Sequence, residues 1–230
     1  AASEDMITEF DMKELEDMGF FKFDFLGLSN LDVIDQTLKF IKDRHGQDIN
    51  LENIDYQDPA VFDLFNSGRM CGIFQLENSL RSISLRVQPR SIDEISTINA
   101  LGRPGPLDAG FVDQYVANKA AGVRVPSAYS ESIQRELEPI LAETYGVMAY
   151  QEQVMRMASA VAGFSLVDAD NLRKAIGKKS REAMAQMEEQ FINGAMLNGH
   201  DEIPTKELWD DIKNFADYCF NKAHSFAYSV

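Results

Sequence analysis

The sequence predicts a mainly α-helical chain with a small β component near its N-terminus, an α+β protein. Three observations predict this fold class. Apolar residues recur at helical spacing along most of the chain, glycines and prolines bound those segments, and two short runs are strand-like. With 230 residues, of which 45% are hydrophobic, the chain can bury a core as one domain or two. Its net charge of −15 argues against a free-standing nucleic-acid-binding protein, because such proteins are usually basic.

The helices are indicated by their apolar stripes and by the residues that begin or end them. Asp58 is suited to cap a helix N-terminus, and Gly19 and Gly46 are suited to end helices. Residues 103–106 read Arg-Pro-Gly-Pro and are expected to form a rigid irregular loop, and residues 120–135 an irregular surface segment. The segments predicted as helical are residues 11–18, 31–44, 58–68, 77–86, 91–101, 110–119, 150–161, 168–177, 180–197 and 205–217.

Two short strands are predicted, at residues 22–28 and 144–149, and residues 70–74 form a further β-like run. In the first strand Asp24 lies between two phenylalanines. A carboxylate on a buried strand face needs a partner or a metal ion, whereas one on a solvated face needs neither. Both interpretations of Asp24 stay open at this point.

The strongest local signal is a group of cations in an otherwise acidic chain. The group comprises Arg173, Lys174, Lys178, Lys179 and Arg181. Lys174, Lys178 and Arg181 have the spacing of one helical face, opposite a stripe of apolar residues. Such a cluster suits a multiply charged anion such as a triphosphate or a nucleic-acid backbone. A solvated basic face, balanced by the glutamates that follow, is the alternative.

Three other stretches offer groups for phosphate or base recognition. Arg103 would present a guanidinium on a rigid loop, and Tyr150, where a strand is expected to meet a helix, would stack on a base or sugar. Asn221, Lys222 and His224 add an amide, a cation and an imidazole near the C-terminus. In isolation each stretch has a structural alternative: an interhelical turn, an aromatic at the core edge and a structural histidine.

Several other classes of protein are disfavoured. The three histidines lack metal-ligand spacing, and the sequence contains neither a G-x-S-x-G element nor a P-loop. The two cysteines lie far apart, which favours a reduced, cytoplasmic protein. The acidic N-terminus is unlike a signal peptide, and no apolar run approaches the length of a membrane span.

Seven motifs in a fixed order resemble the C-family replicative DNA polymerases, in particular the α subunit of bacterial DNA polymerase III. They are Lys-Phe-Asp-Phe-Leu-Gly-Leu at 22–28, Gly-Ile-Phe-Gln-Leu-Glu at 72–77, Arg-Pro-Gly-Pro at 103–106, Thr-Tyr-Gly at 144–146, Tyr-Gln-Glu-Gln at 150–153, Leu-Arg-Lys-Ala-Ile-Gly-Lys-Lys at 172–179 and Phe-Asn-Lys-Ala-His at 220–224. Each motif is weak alone. Seven in order, spanning nearly the whole chain, are specific.

The resemblance implies part of a template-directed DNA polymerase that transfers a nucleotidyl group from a dNTP to a primer 3′-hydroxyl with two Mg²⁺ ions. Asp24 would be a catalytic, metal-binding carboxylate of the palm domain, and Lys22 would lie beside the phosphates. Residues 1–28 would form the edge of the palm and residues 29–230 most of the fingers. The implied nucleotide pocket contains Arg103, Tyr150, Arg173, Lys174, Lys178, Lys179, Asn221, Lys222 and His224.

The implied partners are primer-template DNA, the incoming dNTP and other replisome subunits, with no membrane. Two departures accompany the resemblance. The family's paired catalytic aspartates precede the Asp24 motif, and residues 1–23 contain no such pair, so the isolated chain is expected to be inactive. Residues 78–81 read Asn-Ser-Leu-Arg where the family usually has Ser-Arg-Gly-Met.

Two alternative functions stay open. One is a non-catalytic helical interaction module of the replication machinery, and the other is an anion-binding protein that uses the cations of residues 173–181 alone. Under the polymerase interpretation, the cations of the pocket should converge in three dimensions while the acidic excess faces outward.

Overall fold

The computed structural model describes residues 6–23, 27–178, 181–216 and 218–230. It divides into two compact units, Ala1–Ile54 and Asp55–Val230. Two 3₁₀ helices, Leu51–Asn53 and Ala142–Thr144, accompany the α-helices. The α-helices are α1 (Met12–Asp17), α2 (Ser29–His45), α3 (Pro59–Asn66), α4 (Ser79–Val87), α5 (Ile92–Leu101), α6 (Pro104–Asp108), α7 (Phe111–Ala121), α8 (Glu131–Leu141), α9 (Gln151–Ala162), α10 (Leu166–Lys178), α11 (Arg181–Leu197), α12 (Glu202–Ala216) and α13 (Lys222–Ala227).

The predicted β component is wrong, because the described ranges are all-helical and contain no strand or sheet. At the N-terminal run, the described residues 22–23 and 27–28 lie outside any strand, and residues 24–26 lie outside the described ranges. Residues 70–74 fold mainly as turns, with Gly72 at a φ of 78°. Aromatic and β-branched composition alone does not make a strand where no neighbouring segment pairs with it.

The second predicted strand, residues 144–149, does not form, and the backbone angles of this segment explain why. Tyr145 and Gly146 have φ angles of 51° and 79°, in the left-handed region, and this breaks an extended segment. The β-type pairing that does occur there is a single parallel bridge between Tyr150 and Phe220. The chain is therefore extended for long enough to join two helices, but it does not build a sheet.

Most predicted helices are confirmed, and their ends show why. Asp11 caps α1 through a capping box with Glu14, and Asp58 caps α3, whose first residue is a proline. Ser91 caps α5 by accepting a hydrogen bond from the Glu94 backbone amide. Helix α2 ends at Gly46, which has the left-handed conformation expected of a C-terminal cap.

Three helices were not predicted. Residues 103–106 are not an irregular loop, since Pro104 starts the short helix α6 and Arg103 is its N-cap residue. Helix α8 begins inside the segment expected to be irregular and contains Pro139. Helix α13 is only six residues long and carries too short a pattern to stand out in the sequence.

The second unit, residues 55–230, contains two hydrophobic clusters. One joins α8, α9, α10, α11 and α12 around Trp209, whose side chain is fully buried. The other joins α3, α4, α5 and α7 with the segment from Val147 to Tyr150. Phe215, near the end of α12, packs against both clusters. The segment that follows α12 therefore leaves from the junction between the two cores.

Within the described residues, no helix is both long enough and apolar enough to cross a membrane. In the first unit, residues 1–54, helices α1 and α2 contain no buried residue.

Candidate nucleotide-binding site

The candidate site is organised around Phe220, at the end of the segment that follows α12. The backbone amide of Phe220 donates to the Ala149 carbonyl, and the Phe220 carbonyl accepts from the Gln151 amide, both at 2.9 Å. These two bonds flank Tyr150 and fix the C-terminal motif against the start of α9. Tyr150 and Phe220 come from two motifs that lie far apart in sequence.

Arg103 lies over the ring of Phe220. Its guanidinium carbon is 4.5 Å from the ring centroid, which is a cation–π contact. The Arg103 Nε donates to the Ala100 carbonyl at 2.9 Å, and a terminal nitrogen donates to the Tyr218 carbonyl. Burial lowers the pKa of the Arg103 guanidinium from its ordinary value. These contacts hold the side chain of Arg103 in place against the C-terminal motif.

Tyr150 is buried, with 1% of its surface exposed. Its hydroxyl lies 3.0 Å from the Ser96 hydroxyl and 3.1 Å from the Thr97 hydroxyl, both on α5. Burial raises the pKa of Tyr150 to about 12. The Lys222 ammonium lies 5.6 Å from the centroid of the Tyr150 ring. The Tyr150 ring is thus buried beneath the Lys222 side chain and is not exposed to solvent.

Asn221, Lys222 and His224 form the first turn of α13 with its cap. The Asn221 side-chain oxygen accepts from the His224 amide at 2.8 Å, which caps the helix. The Lys222 ammonium donates to Glu143 at 2.6 Å. The His224 ring is exposed and stacks on Tyr228, with centroids 4.5 Å apart, and meets the Phe220 ring edge-on at 5.4 Å.

The cations of α10 are held by an acidic residue of their own helix. Asp170 pairs with Arg173 at 2.8 Å and with Lys174 at 2.7 Å. Hydrogen bonds from Lys174 and then from Arg173 lower the pKa of the Asp170 carboxyl. Helix α10 packs against α9, which begins directly after Tyr150. We call Arg103, Tyr150, Phe220, Asn221, Lys222 and His224 the Phe220 group. In the described part of the chain, no hydrogen bond or ion pair joins Arg173 or Lys174 to this group.

The remaining predicted site residues are only partly described. Lys22 lies outside the helices and is exposed, in the first unit. Lys178 is the last residue of α10, and Arg181 is the first of α11. Asp24 and Lys179 lie outside the described residues.

A two-metal centre does not fit the described side chains. Across the described ranges, no group of three or more His, Cys, Asp and Glu residues is arranged to hold a metal ion. The predicted metal ligand, Asp24, lies outside those ranges.

Comparison with known proteins places the chain in a family. The family model for the bacterial DNA polymerase III alpha subunit finger domain matches residues 30–199. The chain belongs to this family. The resemblance inferred from the seven motifs is thereby confirmed.

The relatives of this finger-domain chain include several DNA polymerase III alpha subunits. That of Aquifex aeolicus (strain VF5) is 45% identical over 97% of this chain and 19% of the relative. That of Helicobacter pylori (strain J99 / ATCC 700824) is 46% identical over 98% of this chain and 18% of the relative. That of Halalkalibacterium halodurans is 39% identical over 97% and 20%. The chain thus spans about a fifth of the length of these relatives.

Sequence reasoning missed the acidic residues of the finger-domain site. Glu143, Glu152 and Asp170 all contact residues predicted for nucleotide binding, so the acidic residues do not all face away from the cations. Of these three residues, Glu152 alone lies inside a motif of the predicted pocket whose other members are polar or aromatic, the Tyr-Gln-Glu-Gln motif, and this was the sequence signal for it. Phe220 joins the C-terminal motif to the start of α9 through its bridge to Tyr150. No local sequence pattern indicates this bridge.

Proposed function

We propose that this chain supplies the incoming-nucleotide pocket of a DNA-directed DNA polymerase. The supporting observation is that Arg103 and His224 contact the Phe220 ring, while Lys222 lies over the ring of Tyr150, which is bridged to Phe220. Two cations and an imidazole, brought together from separate motifs in a member of a polymerase finger family, suit the phosphates of a dNTP.

The proposed substrate is a dNTP, and its phosphates engage the polar groups of α13 and the Arg103 guanidinium. Asn221 orders the first turn of α13, and Tyr150 supports Lys222 from below. Arg173, Lys174 and Lys178 of α10 complete the proposed pocket, together with Lys179, which lies outside the described residues. For Arg173 and Lys174, binding a phosphate means exchanging the Asp170 carboxylate, and solvent screening makes such exposed pairs weak enough to exchange.

The reaction proposed for the intact protein is nucleotidyl transfer to a primer 3′-hydroxyl. Asp24 would be one metal-binding carboxylate, with Lys22 beside the phosphates, and two Mg²⁺ ions would supply charge neutralisation at the reacting phosphate. The other metal ligands would lie outside this chain. Residues 1–28 are proposed as the edge of the palm and residues 29–230 as fingers. The partners are primer-template DNA and other replisome subunits, in the cytoplasm.

Primer extension by the longest polypeptide that the gene encodes tests the proposal. Arg103→Ala and Lys222→Ala should each raise the KM for dNTP about tenfold or more, because each removes a charge-assisted hydrogen bond to phosphate. Arg124→Ala is the matched control, since Arg124 pairs with Glu138 on the exposed surface. Asp24→Ala should abolish extension while dNTP binding persists.

Each result that contradicts the proposal points to a different revision. Extension that survives Asp24→Ala would remove Asp24 from the metal site. Equal KM values for Arg103→Ala, Lys222→Ala and Arg124→Ala would remove the Phe220 group from the nucleotide pocket. Failure of the intact wild-type protein to extend any primer would favour the non-catalytic interaction module.

A further inference from the structure

Glu152 lies in the first turn of α9, and both of its carboxylate oxygens accept hydrogen bonds from the start of α13. Its Oε1 accepts from the Asn221 side-chain amide at 2.8 Å, and its Oε2 accepts from the Lys222 backbone amide at 3.0 Å. Both partners are hydrogen-bond donors. The carboxylate is therefore matched to its surroundings in a way that a neutral amide is not.

Asn221 has two partners of opposite kind, and these fix its orientation. Its Oδ1 accepts from the His224 amide at 2.8 Å, while its Nδ2 donates to Glu152. The same side chain therefore caps α13 and ties the cap to α9. Lys222 is held a second time, because its ammonium donates to Glu143 at 2.6 Å.

Hydrogen bonds to α5 hold the later part of α13 and the residues that follow it. The Ser225 hydroxyl donates to the Ser96 carbonyl at 2.6 Å, and the Asn99 side-chain amide donates to the Ser229 hydroxyl at 3.0 Å. Ser225 is the buried residue of this six-residue helix. Helix α13 is thus held by α5 along its later part and by Glu152 at its start, where Glu152 accepts two hydrogen bonds.

We propose that Glu152 is a positioning residue for nucleotide binding. Acting through Asn221 and Lys222, it holds the first turn of α13 so that Lys222 and His224 face the triphosphate. This inference rests on the proposed function of the pocket. It assigns to an acidic residue a role in binding an anion, which charge alone would argue against.

Two single substitutions break the contact in opposite ways. Glu152→Gln keeps the shape but turns an NH₂ group toward one of two donors, so one hydrogen bond is lost. Asn221→Asp keeps the cap of α13, because aspartate is an equally good N-cap, but places a second carboxylate against Glu152. Each substitution should raise the KM for dNTP about tenfold with a smaller change in kcat, since a hydrogen bond to a charged group is lost.

The double variant Glu152→Gln/Asn221→Asp restores the pattern with the roles exchanged. The Gln amide at position 152 donates to the carboxylate at position 221, and its oxygen accepts from the Lys222 backbone amide. The other oxygen of the new aspartate still caps His224. The pair keeps its total charge of −1, so the electrostatic field of the pocket is nearly conserved. The KM for dNTP should return to within about threefold of the wild-type value.

Steady-state kinetics of primer extension by the full-length protein measure these effects, with Glu138→Gln as an exposed control. Amide hydrogen exchange at residues 221–228, without nucleotide, reports the position of α13 independently. Rescue of both the KM and the exchange protection supports the proposal. A double variant with the KM expected from adding the two single effects would overturn it.

The two readouts separate this inference from the proposed function. Faster exchange in the single variants with an unchanged KM would show that Glu152 is merely structural, and the inference would fail alone. If the wild-type protein binds no triphosphate, the proposed function fails and this inference fails with it. In that case exchange still tells whether Glu152 holds α13.

Discussion

At the scale of single residues, the buried Glu94 joins three separate segments of the second unit. Its carboxylate accepts from the Lys119 ammonium at 2.8 Å, from the Tyr145 hydroxyl at 2.6 Å and from the Arg90 amide at 2.6 Å. Burial, and then the hydrogen bond to Glu94, raise the pKa of Tyr145 to about 12. Tyr145 is the left-handed residue five positions before Tyr150, so Glu94 stabilises the turn that leads into the site.

Replacing Glu94 with alanine should lower the free energy of unfolding by about 3–5 kcal/mol, because it leaves the Lys119 ammonium buried without a counter-charge. The side chains of Lys119 and Glu94 are only 16% and 8% exposed. Asp113→Ala is the matched control, because Asp113 pairs with Arg86 on the surface and should contribute about 0.2–1 kcal/mol. Urea unfolding followed by the fluorescence of Trp209, the single tryptophan, measures both. Equal losses in the two variants would contradict the prediction.

At the scale of elements, helices α9 and α11 lie in close backbone contact at Gly194. A Cβ atom built there would lie 2.2 Å from the Ala162 carbonyl oxygen, which belongs to the backbone of α9. The backbone cannot yield as a flexible side chain can. The glycine is thus required by the crossing of two helices and not by a turn.

Gly194→Ala should destabilise the second unit by about 1–3 kcal/mol, because the added methyl group overpacks this crossing. The sign is informative, since the same substitution on an open helix face stabilises by about 1 kcal/mol. Asn193→Ala, at the neighbouring exposed position of α11, should leave the unfolding free energy nearly unchanged. Thermal unfolding of the three proteins compares them. A more stable Gly194→Ala variant would mean that the helices are not in contact there.

The same scale shows what the sequence can and cannot predict. Helix α5 is predictable because Ser91 caps it and its apolar residues recur at helical spacing, and both signals are local. The segment 144–149 has local signals for a strand, but Tyr145 is fixed in a left-handed conformation by contacts with Glu94 and Asn118, which are distant in sequence.

The candidate site was predictable to a similar extent. The motifs predict Arg103, Tyr150 and Asn221 in one pocket, and the structure brings these residues close to Phe220. The contacts of Glu152 and Glu143 with Lys222 were not predictable, because each spans more than 60 residues of sequence. Whether these groups bind a nucleotide stays a prediction.

At the scale of the whole molecule, the two units differ in how they are stabilised. Residues 55–230 bury two apolar clusters, whereas α1, α2 and the 3₁₀ helix of residues 1–54 contain no buried residue. Local opening of a segment depends on the apolar surface it buries, so the first unit should open far more often than the second.

Limited digestion of this chain with a glutamate-specific protease should therefore cut first within residues 6–54, where Glu14 and Glu52 are exposed. The fragment that begins at Asn53, residues 53–230, should persist, and intact-mass spectrometry identifies it. The fluorescence of Trp209 should not change during the first cut, because this residue is buried in the second unit. A chain of residues 55–230 made directly should unfold at nearly the same temperature as residues 1–230. A large fall in that temperature would contradict the prediction. It would mean that residues 1–54 stabilise residues 55–230, and that the two units do not unfold independently.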